Sequence, residues 1–182
     1  MWCAKARLYR LLTSGLLVAT LVAGAIGSGK VHAKGRTLPF LYNEQGSYQL
    51  VSAAGTFHII GVGAAKIPGF PQGTDRYSAV LYPPAANGCQ TVAVAGTVTF
   101  ANSQDSYDYV DISQLCPVAG HPTTQASGSG TFSLTRGFGM FKGAGGGGTF
   151  NITGTLLPTK PGQLPRVKYT IVGTSGSVTL TS

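Results

Sequence analysis

Charge is scarce in this chain. Only 10% of its 182 residues are Asp, Glu, Lys or Arg, against roughly a quarter in an ordinary soluble domain. The few acids, Glu44, Asp75, Asp105, Asp108 and Asp111, leave little material for acid–base chemistry. With 43% apolar residues, the composition excludes a disordered polyelectrolyte. Helical periodicity is almost absent, and there is no heptad or collagen repeat, which excludes coiled-coil and fibrous folds. No C-x-x-C pair and no G-x-S-x-G elbow occurs, so neither a common zinc set nor a hydrolase nucleophile has its motif. No metal or cofactor is expected. The length admits one domain with a real core, not two large ones.

What is present begins with an address. Residues 1–33 read as a secretory signal peptide: Lys5, Arg7 and Arg10 form a basic start, an apolar stretch follows to Ile26, and Val31 and Ala33 satisfy the small-residue cleavage rule. The alternative is an uncleaved anchor, since the uncharged run 11–29 is just long enough to span a bilayer. Cleavage is the expectation, which puts the protein outside the cell or in the periplasm. The net charge of +8 is then partly the leader's, because Lys5, Arg7, Arg10 and Lys30 depart with it. The remaining basic residues are spread out with no run of three, so no nucleic-acid partner is expected, nor a membrane partner once the leader is gone.

Two cysteines remain beyond the leader, Cys89 and Cys116. An even count in a secreted chain favours a disulfide between them.

Beyond residue 46 the chain alternates with period 2. Val92, Val94, Val98 and Phe100 fall on one face of a segment whose other face holds Thr91, Ala93, Ala95, Thr97 and Thr99. Side chains alternate in this way on a half-buried strand. Strands are expected near 47–53, 56–62, 76–82, 90–101, 106–114, 129–136, 148–157 and 166–180, the last bent at Gly173 or Gly176. Asn87-Gly88, 68–73, 116–127 and 158–165 supply the turn chemistry between them. Residues 34–46 show no clean pattern and read as an N-terminal arm or a short first strand, ahead of a β domain over 47–182. Strands at this spacing without helices mean an all-β sandwich or barrel.

Glycine is abundant, with 27 residues, and its densest stretch is the most specific part of the sequence. Thr135-Arg136-Gly137-Phe138-Gly139-Met140-Phe141-Lys142-Gly143-Ala144-Gly145-Gly146-Gly147-Gly148-Thr149 resembles a T-G-G-T-G-x-F-x-G-A-x-G-x-G-T signature of bacterial secreted barrels related to the allene oxide cyclase and dirigent superfamily. Gly137, Gly139, Phe141, Gly143, Ala144, Gly146, Gly148 and Thr149 match, while Arg136, Phe138 and Gly145 depart. Asn87-Gly88 and the closing 173–178 segment are also similar, so the likeness spans about 87–180. It implies an eight-stranded antiparallel barrel and no particular activity. No catalytic residue of either enzyme group has a counterpart here. Physically, the glycines suit a tight connection with positive φ. Phe138, Met140 and Phe141 would close that end of the core. The literal G-x-G-x-x-G at 143–148 is no dinucleotide loop, because a strand-like segment follows it rather than a helix.

The residues that could carry function are aromatic or isolated ionisable groups. Tyr77, Tyr107 and Tyr109 lie on central strands and would suit a small apolar or aromatic ligand in a barrel lumen. His58 and Asp108 would orient its polar end, with Asp108 on the face shared by Val110 and Ile112. The same tyrosines would also pack a solid core. Three function classes follow: a non-catalytic ligand binder, a structural or surface-interaction protein with a filled barrel, and a cofactor-free cyclase or isomerase. The shortage of ionisable groups weighs against the enzyme.

Overall fold

The computed structural model describes residues 35–53, 56–101 and 104–181, with the side chains of 50–53 and 56–59 outside the description. The expected signal peptide also lies outside the described residues.

The chain is all-β. Its strands are β1 (Arg36–Pro39), β2 (Asn43–Ala53), β3 (Thr56–Lys66), β4 (Gly73–Leu81), β5 (Gln90–Phe100), β6 (Ser106–Pro117), β7 (Gln125–Phe138), β8 (Gly145–Leu157) and β9 (Arg166–Leu180). They run antiparallel in the order β1-β9-β2-β3-β4-β5-β6-β7-β8, and β8 pairs again with β9. Strands β2 to β9 therefore close an eight-stranded barrel, which leaves none of these strands with a free edge.

Each expected strand is present, most of them longer than the alternation alone suggested. Residues 34–46, expected as an arm or a short first strand, supply β1 and the start of β2. Both pair with β9, β2 along Arg166–Val172 and β1 along Ser177–Leu180. Between them Phe40 and Tyr42 turn into the lumen and are almost fully buried. The long β9 shifts register against β8 after Gly173, at one of the two glycines where a bend was expected. A second shift falls between β6 and β7, where Asp108 pairs with Arg136 and Tyr109 with Leu134.

One end of the barrel is shut by the glycine-rich connection. The connection contains one 3₁₀ turn, Gly139–Phe141, and takes φ of +58° at Gly139 and +70° at Gly143, values that disfavour any side chain with a Cβ. The Asp105 carboxylate accepts the Met140 backbone N–H at 2.8 Å, which pins the turn. Phe141 is fully buried. Its ring lies 5.3 Å from those of Phe70, Phe100 and Tyr107.

The expectation that Phe138 and Met140 would join this plug is corrected. Both are exposed, because the 3₁₀ turn points only one of the three side chains inward. The Phe138 ring instead lies 4.5 Å under the Arg136 guanidinium, a cation–π contact on the surface.

The opposite end, here called the mouth, carries the connections 82–89, 118–124 and 158–165. Cys89 and Cys116 form a disulfide there, with Cα atoms 4.1 Å apart. It ties the β4–β5 connection to the end of β6. The turn before Cys89 is built by Gly88 at φ +79° and by Asn87, whose Oδ1 accepts the Cys89 N–H at 3.0 Å. A disulfide is compatible with an oxidising extracellular or periplasmic compartment. Among the described residues, no helix is long and apolar enough to cross a membrane, a test that does not bear on barrels.

Candidate functional site

Alternation in β6 decides what enters the lumen. Tyr107, Tyr109, Asp111 and Ser113 are buried, whereas Ile112 is 54% exposed. The lumen face is thus the one that carries tyrosine and aspartate, and the outer wall carries Val110 and Ile112. Asp108, expected inside with Val110 and Ile112, is corrected to the outer wall, where it accepts a hydrogen bond from the Thr97 hydroxyl at 2.7 Å. The apolar face was the wrong guide because the barrel wall stays apolar where neighbouring strands shield it only partly.

Two further strands put an acid and a tyrosine on their inner faces at a spacing of two. On β4 these are Asp75 and Tyr77. On the approach to β2 they are Tyr42 and Glu44. Glu44, Asp75 and Asp111 are all buried, Asp75 completely and Asp111 at 8% exposure. No lysine, arginine or histidine stands among the described residues that line the chamber around them.

The tyrosines reach inward over glycines. Tyr77 pairs across the sheet with Gly61, Tyr109 with Gly96 and Tyr169 with Gly46. A Cβ on Gly96 would stand 2.6 Å from the Tyr109 hydroxyl, closer than atoms pack. Each ring therefore lies flat across its neighbour's backbone; the hydroxyls of Tyr109 and Tyr169 reach the acids, whereas that of Tyr77 has no hydrogen-bond partner.

The hydrogen bonds follow from this placement. The Tyr109 hydroxyl donates to Asp75 Oδ2 at 2.6 Å and the Tyr42 hydroxyl donates to the same atom at 3.1 Å. The Tyr169 hydroxyl donates to Glu44 Oε1. Burial, reinforced by the charge of Asp75, pushes Glu44 up to about 9. Burial lifts Asp75 only to about 6, because the Tyr109 phenol, the Glu44 carboxyl and the Arg76 backbone stabilise its ionised form. At neutral pH Glu44 is the protonated member of this pair and donates to Asp75, since two adjacent buried carboxylates do not both ionise. Asp111 is pushed up to about 8 by burial and by the charge of Asp75. One of its oxygens, Oδ1, has no hydrogen-bond partner. Burial and these carboxylates also raise Tyr77, Tyr109 and Tyr169, so their phenols stay neutral donors.

The space above the acids divides into two chambers. The inner one, of about 40 Å³, is lined by Glu44, Asp111, Tyr77, Tyr109, Ala79 and Val94 among others. The outer one, of about 140 Å³, lies against the 122–126 segment and is lined by Pro122, Ala126, Leu156 and Val167. Tyr48, Leu115, Ile152 and Tyr169 border both, so the two adjoin. A larger furrow, of about 500 Å³, lies along the β5 to β9 wall and is lined largely by short neutral side chains such as Thr131, Thr149 and Asn151.

Of the residues singled out from the sequence, Tyr77 and Tyr109 line the inner chamber. Tyr107 lies deeper, against Phe40, Phe100 and Phe141, and lines neither chamber. The backbone of His58 pairs with Val51 and Val80, while its side chain is outside the description. Glu44, Asp75 and Asp111 were not singled out. Their signal was the shared spacing of tyrosine and acid on three separate strands.

No protein-family model matches the chain, and no curated protein matches it significantly.

Proposed function

We propose that this chain is a secreted, non-catalytic binder of a small apolar or aromatic ligand, taken up through the mouth of the barrel. The observation that carries the reading is the pair of adjoining chambers at one end of a lumen whose other end is plugged. The outer chamber approaches the size of cavities that accept a single benzene ring, about 150 Å³. Its walls are mainly apolar, with few polar groups deeper in, which is the usual make-up of a small-ligand site. The closed barrel and the glycine connection support placing the chain with the allene oxide cyclase and dirigent-like barrels. The disulfide supports export, with removal of residues 1–33.

A second reading rests on the burial of Glu44 and Asp111 in the lumen. That burial raises both carboxyls, Asp111 to about 8, toward the protonated form that a general acid needs. A cofactor-free cyclase or isomerase would use Asp111 as its proton donor.

Calorimetric titration with benzyl alcohol tests the binder. Binding with a negative heat-capacity change is expected. It should be lost in Ala126→Leu, which fills the outer chamber, while the melting temperature of that variant stays within a few degrees of the parent. No binding to the parent protein, or unchanged binding to the blocked variant, would overturn the reading. Rearrangement of a bound ligand during the titration would favour the enzyme.

A further inference from the structure

The inner chamber differs from an ordinary apolar pocket in three ways. It is small, about 40 Å³, close to the ~30 Å³ share of one water molecule in the liquid. It holds Glu44 and Asp111 with no basic side chain among the described residues that line it. The Asp111 Oδ1 atom is buried there without a hydrogen-bond partner, although leaving such an acceptor unsatisfied is costly. A group that fills this space well must be compact, must donate several hydrogen bonds, and must tolerate or supply positive charge.

We infer that the inner chamber takes a protonated primary amine, with Asp111 as the principal acceptor and Glu44 as the second. This inference rests on the mouth-binding reading and names the chemical class of its ligand. An ammonium group is about the size of a water molecule and offers three N–H donors, which meet the Asp111 carboxylate and the carbonyl oxygen of the protonated Glu44 carboxyl. The phenol rings of Tyr77, Tyr109 and Tyr169 around the chamber present electron-rich faces that favour a cation. The apolar body of the ligand then occupies the outer chamber, past Leu115 and Ile152. A short alkylamine or a benzylamine-sized molecule matches the two volumes in that order.

Protons must balance on binding. Asp111 shares the chamber with Glu44 and Tyr48 from β2, Tyr77 from β4, Tyr109 from its own strand and Tyr169 from β9, and it feels the charge of Asp75 from β4. Among the described residues these titratable neighbours are all acids or phenols. Near pH 7 Asp111 is largely protonated, so an incoming ammonium displaces its proton to solvent and a carboxylate–ammonium pair forms. Close to one proton is therefore released per amine bound, and affinity rises between pH 6 and 8 as Asp111 ionises more readily. Above the amine's own pKa affinity falls again.

The test compares benzylamine with benzyl alcohol, and butylamine with butanol, on the native protein. Calorimetry in two buffers of different ionisation enthalpy counts the protons. Each amine is expected to bind at least tenfold more tightly than its neutral partner at pH 7.5, with proton release. Asp111→Asn should remove most of that preference and the release while still binding the alcohols. If alcohols and amines bind equally and no proton is released, the amine inference fails and mouth binding stands. If none of the four binds the native protein, both fail. Proton release is read on the native chain, so the result does not depend on whether Asp111→Asn folds.

Discussion

The two halves of the lumen use similar residues to opposite ends. At the closed end, Phe40, Phe100, Tyr107, Phe132 and Phe141 pack ring against ring, edge-on, tilted or stacked, and are at most 4% exposed. At the mouth, Tyr48, Tyr77 and Tyr169 stand around acids and leave two chambers between them. Aromatic packing near crystal density fills the first half. In the second, small inward residues such as Gly61, Ala79 and Gly96 give the tyrosines room but leave part of the volume empty. The contrast separates stability from function along one axis, with the plug holding the barrel and the mouth available for a ligand.

The largest expected effect breaks the closed half. Phe141→Ala removes a fully buried ring and should cost about 3–5 kcal/mol in denaturant unfolding. Ile152→Ala, at the edge of both chambers, should cost about 2 kcal/mol or less, because the site it leaves is already loosely filled. Equal costs would mean that the halves are packed alike.

Reduction of the Cys89–Cys116 disulfide comes next. It should lower stability by about 2–4 kcal/mol, measured by denaturant unfolding with and without reductant. The binding of benzyl alcohol should weaken as well, since the bridge holds the mouth connections. A stability loss with unchanged binding would detach the bridge from the mouth.

A third effect sharpens the comparison by pH. Glu44 and Asp111 have their pKa values raised on folding, to about 9 and about 8. The unfolded chain releases these protons near pH 4, so the folded state binds more protons across the interval between. Their contribution to stability is complete below about pH 4 and is lost as pH rises through 8 and 9. The melting temperature should fall steadily between pH 5 and pH 9. Asp111→Asn should flatten that slope, and a slope that this variant leaves unchanged would mean that Asp111 does not carry it.

The fold was legible because period-2 alternation is a local signal and each strand carries it independently. Thr91 to Phe100 and Thr149 to Leu156 declare their two faces without help from the rest of the chain. The shared face of the acids was harder to read. In β6 the alternation separates Tyr107, Tyr109 and Asp111 from Val110 and Ile112, and nothing within that strand says which set points inward. The neighbouring strand decides it, because Gly96 lies opposite Tyr109 and admits its ring. That pairing depends on register between strands, which a single strand does not encode. The plug was partly legible for the same reason: the glycines of the connection mark a tight turn, but which of Phe138, Met140 and Phe141 turns inward depends on its 3₁₀ geometry.

Methyl-resolved NMR of the native protein during titration with benzyl alcohol tests most directly whether the two halves divide as described. Shift changes are expected at Val92, Val94, Leu115, Ile152 and Ile171, which border the chambers, with Ile67, Val98 and Val178 of the filled end unmoved. Changes centred on Ile67, Val98 and Val178, or no change anywhere in the lumen, would contradict the account.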